Sequence, residues 1–192
     1  MKIFTKVLSA FIGITSLASS FAADAVKDQV QENPPEVTNL YKQISPKDIE
    51  GNIIKMVGDG WMLITAGNKE KFNSMTASWG GMGVFNTPVT FILVHSKRYT
   101  YEFLEREDYY TLSFYDEKYR PVLKNIFGTK SGRDTDKVKE SGFTPLFMAH
   151  GIAYTEAKMI IVCKKRFAAN TQPQGDCHKL YMGDIVSVWV KK

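Results

Sequence analysis

Metal-ligating and nucleophile motifs are missing from this sequence of 192 residues, which contains only two cysteines and three histidines. No CxxC or HxxxH pairing occurs, and His95, His150 and His178 are widely separated, so we predict no metal site. A GxSxG nucleophile elbow is also absent, as are the Walker and GxGxxG spacings of phosphate-binding loops. The sequence therefore gives no support to a metalloenzyme, an α/β-hydrolase or a P-loop protein.

A long hydrophobic run is absent as well. The apolar stretch from Val7 to Leu17 is too short to span a membrane comfortably, and small polar residues follow it. Lys2 and Lys6 precede it, and Ser20-Phe21-Ala22 forms a small-x-small cleavage site, which is the pattern of an export signal. We predict a signal peptide over residues 1–22 and a periplasmic or secreted protein without a stable membrane anchor. An N-terminal anchor is the alternative.

The charge balance is modest. The formal net charge is +5, and loss of the two lysines of the signal peptide leaves +3, which suits an anionic cofactor. Lys164-Lys165-Arg166 is a short basic run, but no interleaved aromatic platform or recognition helix accompanies it. We therefore interpret this run as an exposed strand end and predict no nucleic-acid partner.

The composition predicts one folded domain. Hydrophobic residues make up 44% of the chain and aromatic residues 12%, which is enough for one real core. We expect an N-terminal extension over residues 23–50 and the domain over residues 51–192. About eight short strands with two or three inserted helices favour a small closed β-barrel of the α+β class.

Several local patterns give finer expectations. The apolar runs Ile53–Val57 and Trp61–Ala66, separated by Gly58-Asp59-Gly60, predict a tight hairpin. The run Gly80-Gly81-Met82-Gly83 predicts a bend, and residues 147–154 predict one strand. For the cysteines two interpretations stay open: a disulfide between Cys163 and Cys177, or burial of Cys163 as a small core residue.

Two polar stretches could bind a ligand. The first is a predicted strand that mixes hydroxyl and amide groups with apolar residues and ends in a large ring, which suits a flat ligand rich in heteroatoms. Its candidates are Asn73, Ser74, Met75, Thr76, Ala77, Ser78 and Trp79. The second stretch precedes a helical pattern, where free N–H groups, a Thr100 N-cap and two cations suit a phosphate. Its candidates are Ser96, Lys97, Arg98 and Thr100.

The runs FNSMTASWGG, RYTYEFLE, LSFY, SGRDTDK and HKLYMGDIV, in this order, resemble the flavin reductase-like family of FMN-binding split barrels. The resemblance covers about residues 56–190. It implies a homodimer with bound FMN, the isoalloxazine ring near the Asn73–Trp79 strand and the phosphate near Arg98 and Thr100. It also implies contacts from Ser113 and Phe114, and a histidine on the substrate side of the flavin. That histidine is His178, although Cys177 interrupts the usual Gly-Asp-His order.

We therefore predict an exported FMN-dependent oxidoreductase in which His178 donates a proton or orients the substrate. Its partners are a small-molecule electron donor and acceptor. Rival interpretations are a flavin-binding or carrier protein without turnover and another split-barrel activity, such as pyridoxamine-phosphate oxidation or haem binding. Three single residues each have an alternative interpretation. Arg98 is then an exposed loop cation, Trp79 is a core residue and His178 is a strand-end residue.

Overall fold

The structure is a computed structural model that describes residues 31–172 and 177–192. The predicted signal peptide over residues 1–22 lies outside the described residues, as does the start of the extension. Of the helices in the described ranges, none is long and apolar enough to cross a membrane.

Ten strands and five helical segments make up the described chain. The strands are β1 Tyr41–Ile44, β2 Met62–Gly67, β3 Phe72–Ala77, β4 Gly80–Phe85, β5 Thr87–His95, β6 Tyr109–Phe114, β7 Pro145–Phe147, β8 Ile152–Tyr154, β9 Met159–Asn170 and β10 His178–Lys191. The α-helices are α1 Pro35–Leu40, α2 Ile53–Gly58, α3 Tyr99–Arg106, α4 Arg120–Val122, which continues as a π-helical turn over Leu123–Gly128, and α5 Lys137–Ser141. Short 3-10 turns cover Pro46–Asp48 and Glu117–Tyr119.

Eight of the strands form one antiparallel sheet. The order is β3-β2-β6-β9-β10-β5-β4, and β1 pairs with β10 as well. The strands β7 and β8 form a separate two-stranded sheet. The result is a mixed α/β fold with a large antiparallel sheet and few helices, consistent with the expected split barrel.

Both faces of the sheet are buried. Because successive side chains of a strand point to opposite faces, Met62 and Ile64 of β2 enter one core cluster and Leu63 enters the other. Cys163 is fully buried in the first cluster, where its Sγ lies 3.2 Å from Thr90 Oγ1. Both cysteines are free and buried, so Cys163 is a core residue and the alternative of a disulfide is not adopted.

The described part of the predicted extension is joined to the sheet. Val37 of α1 and Tyr41 of β1 are buried, and Tyr41 pairs with Lys191 of β10. The Tyr41 hydroxyl donates to the carbonyl oxygen of Ala157 at 2.8 Å. Residues 35–44 therefore pack as a strap of helix and strand against the domain.

The predicted hairpin around Gly58-Asp59-Gly60 is wrong in its first half, because Ile53–Gly58 is the helix α2. The side chain of Asn52 caps this helix by accepting from the backbone N–H of Lys55 at 3.1 Å. Helical spacing buries Val57 and leaves Ile54 80% exposed, so a run of apolar residues that looks like a strand has only one buried side.

The glycine run does not form the predicted bend, because Gly80–Phe85 is the edge strand β4. A Cβ atom at Gly80 would overlap the carbonyl oxygen of Phe91 on β5, so the missing side chain lets the two strands approach closely. Asn86, at φ 61°, then turns the chain into β5. The single strand predicted over residues 147–154 is likewise wrong, since β7 and β8 pair as a hairpin.

Candidate functional site

Two neighbouring cavities border the end of β3. The first has a volume of about 210 Å³ and lies between β3, the start of α3 and the loop that follows Gly128. Its lining residues are Asn73, Met75, Thr76, Lys97, Arg98, Tyr99, Thr100, Phe127, Gly128, Thr129, Lys130, Ser131, Gly132, Arg133 and Lys137. The second has a volume of about 370 Å³ and shares Met75, Thr76 and Arg98 with the first.

The first cavity is strongly basic. Five of its lining residues are lysine or arginine, and within the described chain no carboxylate lines it. Two of these cations are already paired, Lys130 with Glu140 and Arg133 with Glu102. The Arg98 guanidinium has no hydrogen bond or ion pair with a described residue, and it lines both cavities. An anion in the first cavity would therefore find a cation that is not neutralised by the protein.

Thr100 does not serve as the predicted N-cap, because α3 begins at Tyr99 and Arg98 holds the cap position. The Thr100 side chain is fully buried, and its hydroxyl accepts a hydrogen bond from Asn73 Nδ2 at 2.7 Å. This bond ties β3 to the first turn of α3. In that turn the Tyr101 N–H donates to the Arg98 carbonyl oxygen at 3.0 Å. The other N–H groups at the start of a helix have no partner within it, which favours negative charge near them.

Lys137 is the cation that sequence reasoning missed. It is 7% exposed at the first position of α5, and its Nζ donates to the carbonyl oxygens of Ser74 at 3.0 Å and Phe127 at 3.3 Å. Desolvation, followed by the charge of Arg98, lowers the pKa of Lys137 to about 8. A buried amine without a carboxylate partner is costly, and an anion in the cavity would offset that cost.

The loop over residues 129–133 was also missed. Gly132 approaches Asn73 so closely that a Cβ atom there would overlap the Asn73 side chain, so the loop closes over the end of β3. Arg133 donates to the carbonyl oxygen of Lys97 at 3.2 Å and lies over the Tyr99 ring at 4.8 Å. The motif SGRDTDK carried the signal, since it belongs to the family resemblance, but it had no role in the predicted site.

The second cavity is mostly apolar and aromatic. Its remaining lining residues are Ala77, Ser78, Trp79, Leu93, His95 and His178. The Trp79 side chain is 56% exposed, and its ring lies 4.6 Å from the His178 ring. Trp79 is therefore a surface of the cavity and does not belong to the core.

His178 faces His95 from the neighbouring strand. The two residues are register partners on β10 and β5, and their ring centroids are 4.9 Å apart. Desolvation lowers the pKa of His178, and the nearby His95 and Arg98 lower it further. The lowered pKa favours the neutral form of the His178 imidazole.

Not every predicted site residue reaches these cavities. Asn73, Met75, Thr76, Lys97, Arg98 and Thr100 line the first cavity, and Met75 to Trp79 with His178 line the second. Ser74, Ser96, Ser113 and Phe114 line neither. The Ser74 hydroxyl lies 2.8 Å from Thr65 Oγ1 and 2.9 Å from the Tyr154 hydroxyl, while Ser113 and Phe114 are almost fully buried. Both faces of the sheet are covered, so Ser113 and Phe114 are buried although they point to opposite faces of β6.

The chemistry of the two cavities fits a flavin mononucleotide. A flavin needs cations and N–H donors for its phosphate, polar groups for its ring edge and an apolar or aromatic surface for its ring. The first cavity offers the cations, and the second offers the surface beside the end of β3. Metal chemistry has no comparable support, since no group of three or more metal-ligating side chains occurs among the described residues.

Comparison with known proteins places this geometry in a family. Residues 55–192 match the family described as flavin reductase like domain. No curated protein sequence matches the chain.

Solved structures share the fold at low identity. An FMN-binding domain of a flavin reductases-like enzyme from Shewanella baltica is 15% identical, with a TM-score of 0.63 over 79% of this chain and 77% of that chain. Flavoredoxin of Desulfovibrio vulgaris is 21% identical, with a TM-score of 0.59 over 69% of each chain. Nitrilotriacetate monooxygenase component B from Bacillus cereus is 18% identical, with a TM-score of 0.60 over 78% of this chain and 81% of that chain.

The structural likeness by itself shows only a shared architecture, whereas the family match spans most of the chain and includes the strands and loops that border both cavities. On that match, this chain belongs to the flavin reductase-like domain family.

Proposed function

We propose that this protein is an exported FMN-dependent oxidoreductase that passes hydride or electrons through its flavin to a small acceptor. The observation that carries the proposal is the pairing of a basic cavity with an aromatic, histidine-bearing cavity on the same end of β3. A terminal phosphate and a tricyclic ring joined by a ribityl chain match this pair in charge and in order.

The residues of the first cavity would bind the phosphate. Arg98 supplies an unneutralised guanidinium, Lys137 supplies a buried ammonium group, and the first turn of α3 supplies N–H donors. Ser131 adds a hydroxyl group from the loop that closes over β3, whereas the Thr129 hydroxyl already donates to the carbonyl oxygen of Asn125 at 2.6 Å. Asn73 and Thr100 hold β3 against α3 and so fix the distance between the two sides of the cavity.

The residues of the second cavity would serve the ring. Met75, Thr76, Ala77 and Ser78 support it from β3 and the segment after it, and Trp79 excludes water from one side. Bound flavin supplies the two-electron redox chemistry of the site. His178, whose lowered pKa favours the neutral imidazole, holds an N–H group in the same cavity, where it can orient an acceptor or move a proton.

Substitution of Arg98 tests the phosphate assignment. Arg98→Ala should weaken FMN binding by about tenfold or more, because it removes a charge-assisted interaction with the phosphate, and should leave riboflavin binding nearly unchanged. The matched control is Arg106→Ala, which removes the same charge from the last turn of α3. Dissociation constants for both ligands are measured by fluorescence titration. Equal losses for FMN and riboflavin would contradict the assignment.

Turnover separates the oxidoreductase from a carrier. The protein is purified with its native cofactor, which we expect to be FMN, and is mixed anaerobically with a series of electron donors. Reduction of the bound flavin followed by its reoxidation with a small acceptor supports the proposal. FMN that no donor reduces would favour a carrier, and a haem absorption band would replace the flavin assignment altogether.

Export and dimerisation are part of the same proposal. The pattern of residues 1–22 supports export, and N-terminal sequencing of protein from the periplasm or medium should begin at Ala23. Val84 and Phe85, near the free edge of the sheet, are 81% and 58% exposed, which favours burial against a second copy of the chain.

A further inference from the structure

A second histidine stands beside His178 although 82 residues of sequence separate the two. His95 is the last residue of β5, and the antiparallel register of β5 and β10 sets it directly opposite His178. The rings meet edge to face, with an angle of 88° between their planes. Leu93, two residues earlier on the same face of β5, lines the cavity with them.

The hydrogen bond of His95 defines which of its nitrogens carries the proton. The backbone N–H of Lys97 donates to His95 Nδ1 at 3.2 Å, so the proton of the neutral ring is on Nε2. Nε2 is therefore a hydrogen-bond donor. The lowered pKa of His178 favours its neutral imidazole, which carries one ring N–H beside one acceptor nitrogen.

Among the other polar groups of this cavity, the hydroxyl groups of Thr76 and Ser78 can both donate and accept hydrogen bonds. Arg98 is purely a donor, and no aspartate or glutamate is among the described residues that line the cavity. Trp79 adds a broad, half-exposed aromatic surface beside the two imidazoles. A flat ligand with an oxygen acceptor matches the imidazole N–H groups, whereas a flat cation has no acceptor to offer them.

We propose that His95 and His178 form a donor pair that binds an oxygen atom of the electron acceptor, and that this acceptor is a planar compound bearing a carbonyl or an oxyanion. The inference rests on the proposed flavin-dependent function, since β3 must carry the flavin ring for an acceptor to lie against strands β5 and β10. His95 is a substrate-binding residue in this arrangement.

Two flat probes of opposite charge test the ligand class. Calorimetric titration of the FMN-loaded protein compares 2-naphthoate with 2-naphthylmethylammonium. The donor pair should make 2-naphthoate bind about tenfold more tightly, the discrimination expected of hydrogen bonds to a charged group. Equal affinities, or tighter binding of the cation, would overturn the proposal.

Variants of His95 test its part in the pair. His95→Phe keeps a flat ring without a donor and should lower 2-naphthoate affinity about tenfold, whereas His95→Gln keeps an N–H donor and should remain within about threefold of the parent protein. His150→Phe is the matched control, because His150 stacks on Tyr109 and lines neither cavity. Unchanged 2-naphthoate binding in His95→Phe would contradict the assignment.

The FMN affinity of the same variants separates this inference from the proposed function. The His95→Phe variant should bind FMN as the parent protein does, because in this proposal the side chain at position 95 faces the acceptor. Parallel losses of FMN and 2-naphthoate would show that His95 contacts the flavin, and would overturn the donor pair while leaving the flavin site intact. A parent protein that binds no FMN would instead refute the proposed function.

Discussion

Lys137 links the burial of one amine to the affinity for a phosphate. In the flavin-free protein the pKa of Lys137 is about 8, and a phosphate dianion beside it would raise that pKa by favouring the ammonium form. Above pH 8, binding of FMN should therefore take up a proton. FMN affinity should fall as the pH rises beyond this value, by at most about tenfold per pH unit.

The measurement is a set of fluorescence titrations with FMN between about pH 7 and about pH 9.5, repeated with riboflavin, which lacks the phosphate. Lys137→Met should lower FMN affinity at pH 7 and abolish its fall above pH 8. The Lys137 amine also donates to two carbonyl groups, so Lys137→Met also affects the structure. The riboflavin affinity and the thermal melting temperature of the variant measure that structural effect. A fall in FMN affinity that persists in Lys137→Met would assign the titration to another group.

At the scale of the element, β4 depends on a single missing side chain. Gly80→Ala should destabilise the fold by about 1 to 3 kcal/mol, because the new Cβ atom would overlap the Phe91 carbonyl oxygen in the β4–β5 pair. Gly83→Ala is the matched control within the same strand, since no atom lies within 4 Å of a Cβ built there. Urea denaturation compares the two variants. Equal stability losses in the two variants would mean that strand propensity, and not the close approach of β4 to β5, explains the effect of replacing these glycines.

The edge formed by β4 also bears on the whole molecule through its exposed apolar residues. Val84→Lys adds a charge where a second copy is proposed to pack, so the variant should shift a dimer toward monomer at micromolar concentration. Light scattering after size-exclusion chromatography measures the change. Gln43→Lys, which adds the same charge at an exposed position of β1, should leave the mass unchanged. A Val84→Lys protein that stays dimeric would place the interface elsewhere.

Local patterns predicted much of the architecture, and their failures have physical causes. The apolar run of β2 indicated a strand correctly, because a buried strand leaves a direct trace in the sequence. Ile53–Gly58 has the same apolar run as a short strand, and only the Asn52 cap and the exposed Ile54 distinguish it as a helix. Gly80 suggested a bend because its close contact with Phe91 depends on a partner strand.

For the candidate site, too, one part was predictable from the sequence and another part depended on the tertiary structure. The sequence alone determined that a basic turn follows β5 and that a polar, aromatic-ended segment precedes that strand, since each is a short continuous stretch of the chain. Tertiary structure decided which side chains meet: it buried Ser113 and Phe114, brought Lys137 and residues 129–133 over β3, and set His95 opposite His178. These contacts depend on strand register and loop packing between distant segments, which no short stretch of sequence encodes by itself.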